Sequence, residues 1–161
     1  MAAVASYLRI ISIFGGLALA MTLMLWVSGS GARYRLMVVR GETFTVQVAN
    51  TPELRDRGLR GRSSLDPDGG LVVVVEPPRV LVYSTSRTDF PLDILYVTAD
   101  GIVVKIDHLA ANDERLDGSV SGQAVSGALL LRGGTADRLQ LMVGNWLPVI
   151  PPPQKQRYAG D

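Results

Sequence analysis

The chain has 161 residues, enough for one domain of ordinary size with its own core plus tails, and too few for two domains with separate cores. Its 16 basic and 15 acidic residues leave a formal charge of +1 with no single-sign block, so the electrostatic footprint of a nucleic-acid binder is missing. There is no cysteine, which excludes disulfides, thiolate nucleophiles, cysteine-based zinc sites and lipid attachment through sulfur.

The first predicted element is apolar. Residues Ile10 to Val27, "IISIFGGLALAMTLMLWV", form an uncharged run of 18 residues. As a helix this run is about 27 Å long, close to the thickness of a bilayer's hydrocarbon core. Residues 1–32 therefore read as a signal-anchor or a signal peptide. The small residues of "SGSGA" suit cleavage, whereas the apolar run is longer than a signal peptide needs, which favours an uncleaved anchor. Arg9 precedes the segment and Arg33, Arg35 and Arg40 follow it, so the positive-inside rule leaves both orientations open. The expectation is a membrane-anchored domain on the extracytoplasmic side, or a secreted one if the segment is removed.

Residues 33–41 read as a linker, residues 42–149 as a single globular domain, and residues 150–161, "IPPPQKQRYAGD", as a proline-rich flexible tail. Within the domain, Phe44, Val46 and Val48 alternate with polar neighbours as a half-buried strand requires. A short helix follows in "NTPELRDRGLRGR": Thr51 can cap it, Pro52 suits the first helical position, Glu53 favours the positive end, and Gly58 or Gly61 can end it. Its Arg55, Arg57, Arg60 and Arg62 read as a solvated face interleaved with Glu53 and Asp56.

"GLVVVVE", ending at Glu76, is a β-branched run between turn signals and reads as a buried strand, with "RVLVY" (79–83) as the next. Leu92–Val97 and Ile102–Ile106 flank "ADG" and predict a hairpin. A polar connection over 107–126 leads to a strand in "ALLLR", a short helix in "TADRLQL" and a final strand in "WLPVI". Together these predict an α+β fold, mainly antiparallel β, with a barrel- or sandwich-like sheet and one or two short helices.

Catalytic motifs mostly fail against this map. His108 is the only histidine, so a histidine-rich metal site is excluded; it reads as a solvent-exposed loop residue beside Asp107. "NDERLDG" lacks the ligand spacing of a calcium loop. "GSVSG" places Val120 where the nucleophile of G-x-S-x-G belongs, although a triad of Ser121, His108 and a carboxylate stays open. No metal and no cofactor is implied.

Three stretches taken together resemble a known family. "VANTPELRDRGLRGRSSLDPDGGLVVV", "TDFPLDILYVTADGIVVKI" and "LLLRGGTADRLQLMVGN" are similar to the bacterial and archaeal domain of unknown function 192. The specific marks are Thr51, Pro52, Glu53, Gly58, Leu59 and Arg62, then Thr88, Pro91, Leu92, Asp93 and Ile94. The resemblance implies a compact, mainly antiparallel β-fold with short helices, often behind a secretory signal, and no agreed activity. It also marks departures. The family's Trp-Met-x-Asn-Thr stretch stands here as Ser84, Thr85, Ser86, Arg87 and Thr88, and its later-strand glutamate as Leu130.

Asp93 lies at the head of an apolar strand, where an unpaired carboxylate is costly, so it must be hydrogen-bonded or paired. The structural expectation pairs it with backbone N–H groups or Arg62. The functional expectation makes it a candidate catalytic group or ligand acceptor at a pocket with Arg62, Arg87 and Thr88. The leading function is a membrane-tethered or secreted binding module for a small anionic ligand or a protein. The alternatives are a hydrolase-like enzyme using Asp93 with Arg87 or Arg62, and a structural partner of another envelope protein.

Overall fold

The computed structural model describes residues 33–113 and 119–150. The apolar segment 10–27 and the tail beyond residue 150 lie outside them. Among the described residues no helix is long and apolar enough to cross a membrane.

The first strand, β1 (Arg33–Val39), occupies most of the stretch expected as a linker. It pairs antiparallel with β2 (Glu42–Ala49) through a two-residue turn in which Arg40 and Gly41 have φ of 51° and 85°. Both central positions are left-handed, as hairpin turns matched to strand twist require. Gly41 supplies that conformation readily, but arginine is not a residue that advertises it, so the hairpin was hidden in the sequence.

Helix α1 (Pro52–Arg57) forms where the capping residues stand. Thr51 Oγ1 accepts from Leu54 N at 3.3 Å, and Gly58, with φ 52°, donates to Leu54 O at 3.0 Å. It crosses from β2 to β3 (Gly69–Arg79), which pairs parallel to β2. β3 runs through Pro77 and Pro78, three residues past the expected end at Glu76, with a cis bond between Glu76 and Pro77. β4 (Val82–Tyr83) is accordingly short. β5 (Leu92–Val97) and β6 (Val103–Leu109) form the predicted hairpin, and β7 (Ser119–Val120), β8 (Val125–Arg132) and helix α2 (Thr135–Arg138) follow.

The six-stranded sheet has the order β1-β2-β3-β8-β5-β6, antiparallel except at β2/β3, and β4 and β7 form a separate ribbon. The fold is therefore β-rich and mostly antiparallel with two short helices. The expected last strand in "WLPVI" is reduced to a single bridge between Trp146 and Ile102; Pro148, lacking an N–H, suits it poorly to a ladder.

Both faces of the sheet are buried at its central strands, which explains why β3, β5 and β8 read as continuous apolar runs rather than alternating ones. One core contains Val72, Leu95, Val97, Leu129 and Leu131 with Ala136, Leu139 and Leu147 from the C-terminal segment. The other contains Leu71, Val73, Ile94, Tyr96, Ala128 and Leu130 with Leu59, Leu65 and Leu81. Neighbouring residues of one strand thus belong to different cores.

Candidate functional site

The pleat of β5 separates the residues that the sequence had grouped. Leu92 faces the core that includes Leu130, whereas Asp93, one residue on, faces the other. Asp93 is 1 % exposed. Its Oδ1 lies 2.8 Å from Nδ1 of His108, the residue directly across from it on β6, and its Oδ2 accepts from Ala136 N at 2.7 Å.

The second bond is a helix cap delivered from another strand. Gly134 holds the N-cap position of α2 with φ 85° and has no side chain to satisfy the first-turn N–H groups. Asp93 does so instead. The approach depends on Gly133: it donates to Pro91 O at 2.8 Å, and an added Cβ would come within 2.6 Å of Pro91 Cβ. The proline, the aspartate and the paired glycines thus act as one device, holding α2 against the end of β5.

Arg62 does not take part. Its Nη2 donates to Gln47 Oε1, so of the two expected partners of Asp93 the backbone N–H is present, and His108 stands where Arg62 was the alternative. Arg87 is exposed, and its backbone carbonyl accepts from Gly61 N at 3.3 Å. Nor does Ser121 join His108: it accepts from Leu81 N and donates to Gln123 O.

His108 lies on β6, not in a loop, because the strand extends through Lys105, Asp107 and His108. Polar residues on an edge strand concealed its length. The bond to Asp93 raises the imidazole above its ordinary value of 6.5, burial opposes this, and Asp93, Asp137 and Asp107 add electrostatic support. A raised folded-state value means that the pairing contributes fully below the unfolded value and is lost as pH rises through the folded one. Replacing His108 with Gln is therefore expected to destabilise the domain more at pH 5 than at pH 9. Denaturant melts across that range check this, and a pH-independent difference would show that the charged pair contributes nothing. The Asp93–His108 pair has the form of an orienting carboxylate and a base, yet among the described residues no hydroxyl is hydrogen-bonded to His108.

A second polar group ties the β4/β7 ribbon to the main sheet. Tyr96 Oη lies 2.9 Å from Ser119 O and 2.5 Å from Ser119 Oγ, and Lys105 donates to Asp107 and to Val120 O, both at 2.6 Å. Burial pushes the Tyr96 phenol up to about 12, opposed by the Ser119 bond and aided by Asp107. Burial likewise raises Tyr83, with a contribution from Tyr96 and opposition from Arg55 and Arg79. Both phenols are thus protonated donors at neutral pH.

The ribbon and the exit of α1 enclose a cleft of about 320 Å³. Arg55, Asp56, Arg60, Tyr83, Ser84 and Thr88 provide its polar lining; Leu59, Leu92 and Leu130 are among its apolar walls. Thr88, 2 % exposed, is the one predicted site residue that reaches it. Arg55 is half-buried, its Nη1 donating to Asn50 O at 2.9 Å and Val74 O at 3.1 Å, while its buried Nε has no hydrogen-bond partner. Arg55 and Arg60 belong to the row expected as solvated; Arg60 is exposed as expected, whereas Arg55 is half-buried, and both border the cleft. Ser84 and Leu130, two positions where the chain departs from the family pattern, both line this cleft. Among the described residues no cluster of acidic or histidine side chains could hold a metal ion.

Fold and cleft define a small β-rich domain with a mixed sheet whose central strands are covered on both faces. The chain belongs to the family of the domain of unknown function 192 (DUF192, "Uncharacterized ACR"), whose profile matches residues 36–149. A similar solved structure is that of a candidate transcription regulator from Sinorhizobium meliloti 1021, 30% identical, covering 72% of this chain and 91% of its own, with a TM-score of 0.62. Another is a protein of unknown function from Novosphingobium aromaticivorans DSM 12444, 26% identical, covering 74% of this chain and 87% of its own, again with a TM-score of 0.62. Among curated proteins none matches the chain.

Proposed function

We infer that this chain is a membrane-tethered, extracytoplasmic binding module whose cleft takes a small anionic ligand with an apolar part. The observation that carries the ligand reading is the lining of the cleft. Arg55 and Arg60 outnumber Asp56, Thr88 and Tyr83 offer hydroxyls, and Leu92 with Leu130 supplies an apolar wall. Such a combination binds a carboxylate or phosphate by charge-assisted hydrogen bonds and an alkyl portion by burial.

A leucine where the family pattern has a glutamate removes a negative charge from that wall, which favours anions. The hydrolase alternative loses support, because Asp93 is turned away from Thr88 and bonded to neither Arg62 nor Arg87. A role in gene regulation like that suggested for the Sinorhizobium protein draws no support from the near-neutral balance of 16 basic and 15 acidic residues. Attachment rests on the 18-residue apolar run, and retention of the protein in membranes after a carbonate wash is the expected result. A soluble form starting near Arg33 would show a cleaved signal instead.

The ligand reading is tested by calorimetric titration with hexanoate and with inorganic phosphate as probes. Hexanoate is expected to bind more tightly than phosphate. Arg60→Ala should weaken it about tenfold, the value of one charge-assisted contact of about 1.5 kcal/mol. Leu130→Glu should abolish it by placing a carboxylate in the wall. Binding that neither variant changes would remove the cleft as the site.

A further inference from the structure

A different surface gathers several of the exposed large apolar side chains among the described residues. Beside β1 runs a groove of about 700 Å³ with Leu36 and Val38 on one side and Trp146, Leu147, Pro148 and Ile150 on the other. Tyr34, Leu36 and Val38 are 61%, 72% and 59% exposed, and Trp146 is 63% exposed, with Met142 and Val143 also exposed. These are not spill-over from the core, since the alternate residues Met37 and Val39 fill the inward positions of the same strand. An edge strand that is apolar on its outer face invites association, and soluble domains usually blunt such edges with charge.

The indole is exposed on a fixed support. Its backbone bridges Ile102, Val103 N donates to Asn145 O at 2.9 Å, and Leu147 N donates to Gly101 O at 2.8 Å. Gly101, with φ 79°, permits this approach: an added Cβ would lie 2.5 Å from Leu147 O and 3.1 Å from Trp146 Nε1. An aromatic side chain held out by an ordered backbone costs little further entropy when it meets a partner.

We propose that β1 and the Trp146 segment form a lipid-docking face that settles into the headgroup layer of the membrane to which the chain is tethered. This rests on the attachment inferred above. Chain length selects the occupant: five residues, 28–32, separate Val27 from Arg33. They reach at most about 18 Å when fully extended, a tether short enough to keep a bilayer surface within reach of β1. The chemistry agrees, because tryptophan and tyrosine favour the interface, aliphatic side chains enter its apolar boundary, and Arg33 and Arg40 are exposed to meet anionic headgroups. Asp100 is the single acidic residue in the groove lining.

The experiment uses the full chain in vesicles of phosphatidylcholine and phosphatidylglycerol, with Trp26→Phe so that Trp146 is the sole tryptophan of the two. Lipids brominated near the headgroup should quench Trp146 emission by roughly twofold or more, as expected for an interfacial ring. Aqueous iodide should quench it weakly. Leu36→Asp, at a position exposed enough to leave the fold intact, should reverse both effects. Co-flotation of the protein with vesicles while Trp146 stays open to iodide and unquenched by lipid would overturn the docking face and leave attachment standing. Shielding that disappears on diluting the protein in lipid would also overturn it, by assigning the face to a second copy of the chain. Failure to co-float would remove the attachment, and this inference with it.

Discussion

Replacing Asp93 with alanine is expected to cost about 2–4 kcal/mol, because it leaves the buried Ala136 N–H without an acceptor and uncaps α2 while His108 loses its partner. Asp93→Asn retains an acceptor for Ala136 and should cost less, about 1–2 kcal/mol. The partner assignment gives a sharper test. In double-mutant cycles Asp93 and His108 should couple, whereas Asp93 and Arg62 should be additive, since Arg62 spends its hydrogen bond on Gln47. Denaturant melts with unchanged m-values measure all of these. An Asp93→Ala domain as stable as the parent would mean that the carboxylate is not a cap.

The second large effect compares two adjacent leucines. Leu129, 0 % exposed, and Leu130, 3 % exposed, point to opposite faces of β8. Leu129 is enclosed by packed side chains, so Leu129→Ala should leave a dry cavity and cost about 3–5 kcal/mol. Leu130 already borders the cleft, where truncation enlarges a space open to water. Leu130→Ala should therefore lose little beyond the transfer of its methyl and methylene groups, about 2 kcal/mol. Equal losses from thermal or chemical melts would argue that the cleft is closed in solution.

Much of the sheet was legible because its signals are local. The Thr51-Pro52 start of α1, the turn at Asp100 and Gly101, and the runs of β3, β5 and β8 each carry their reason in a few neighbouring residues. What escaped depends on distant pairing. β1 hid behind a turn with arginine at positive φ, and β6 behind Lys105, Asp107 and His108, whose polarity is tolerable only on an edge. The burial of Asp93 and its bond to a backbone N–H were readable from its position in an apolar strand, but which residues supply its partners was not. His108 lies opposite only once β5 and β6 are in register, and Ala136 arrives through the Pro91–Gly133 contact. Thr88 was found for the cleft, and Arg60 is the exposed residue its place in the arginine row suggested, whereas the half-burial of Arg55 depends on Asn50 O and Val74 O, partners that helical spacing does not show.

The strand order has a consequence for how the chain matures. β8 follows every other described strand along the chain, yet it lies at the centre of the sheet between β3 and β5. Until Val125–Arg132 is available, both neighbours have an unpaired edge and neither core can close. Folding is thereby deferred until β8 has been made, and the earlier β3 and β5 segments, with their edges still unpaired, are natural clients for a holding chaperone.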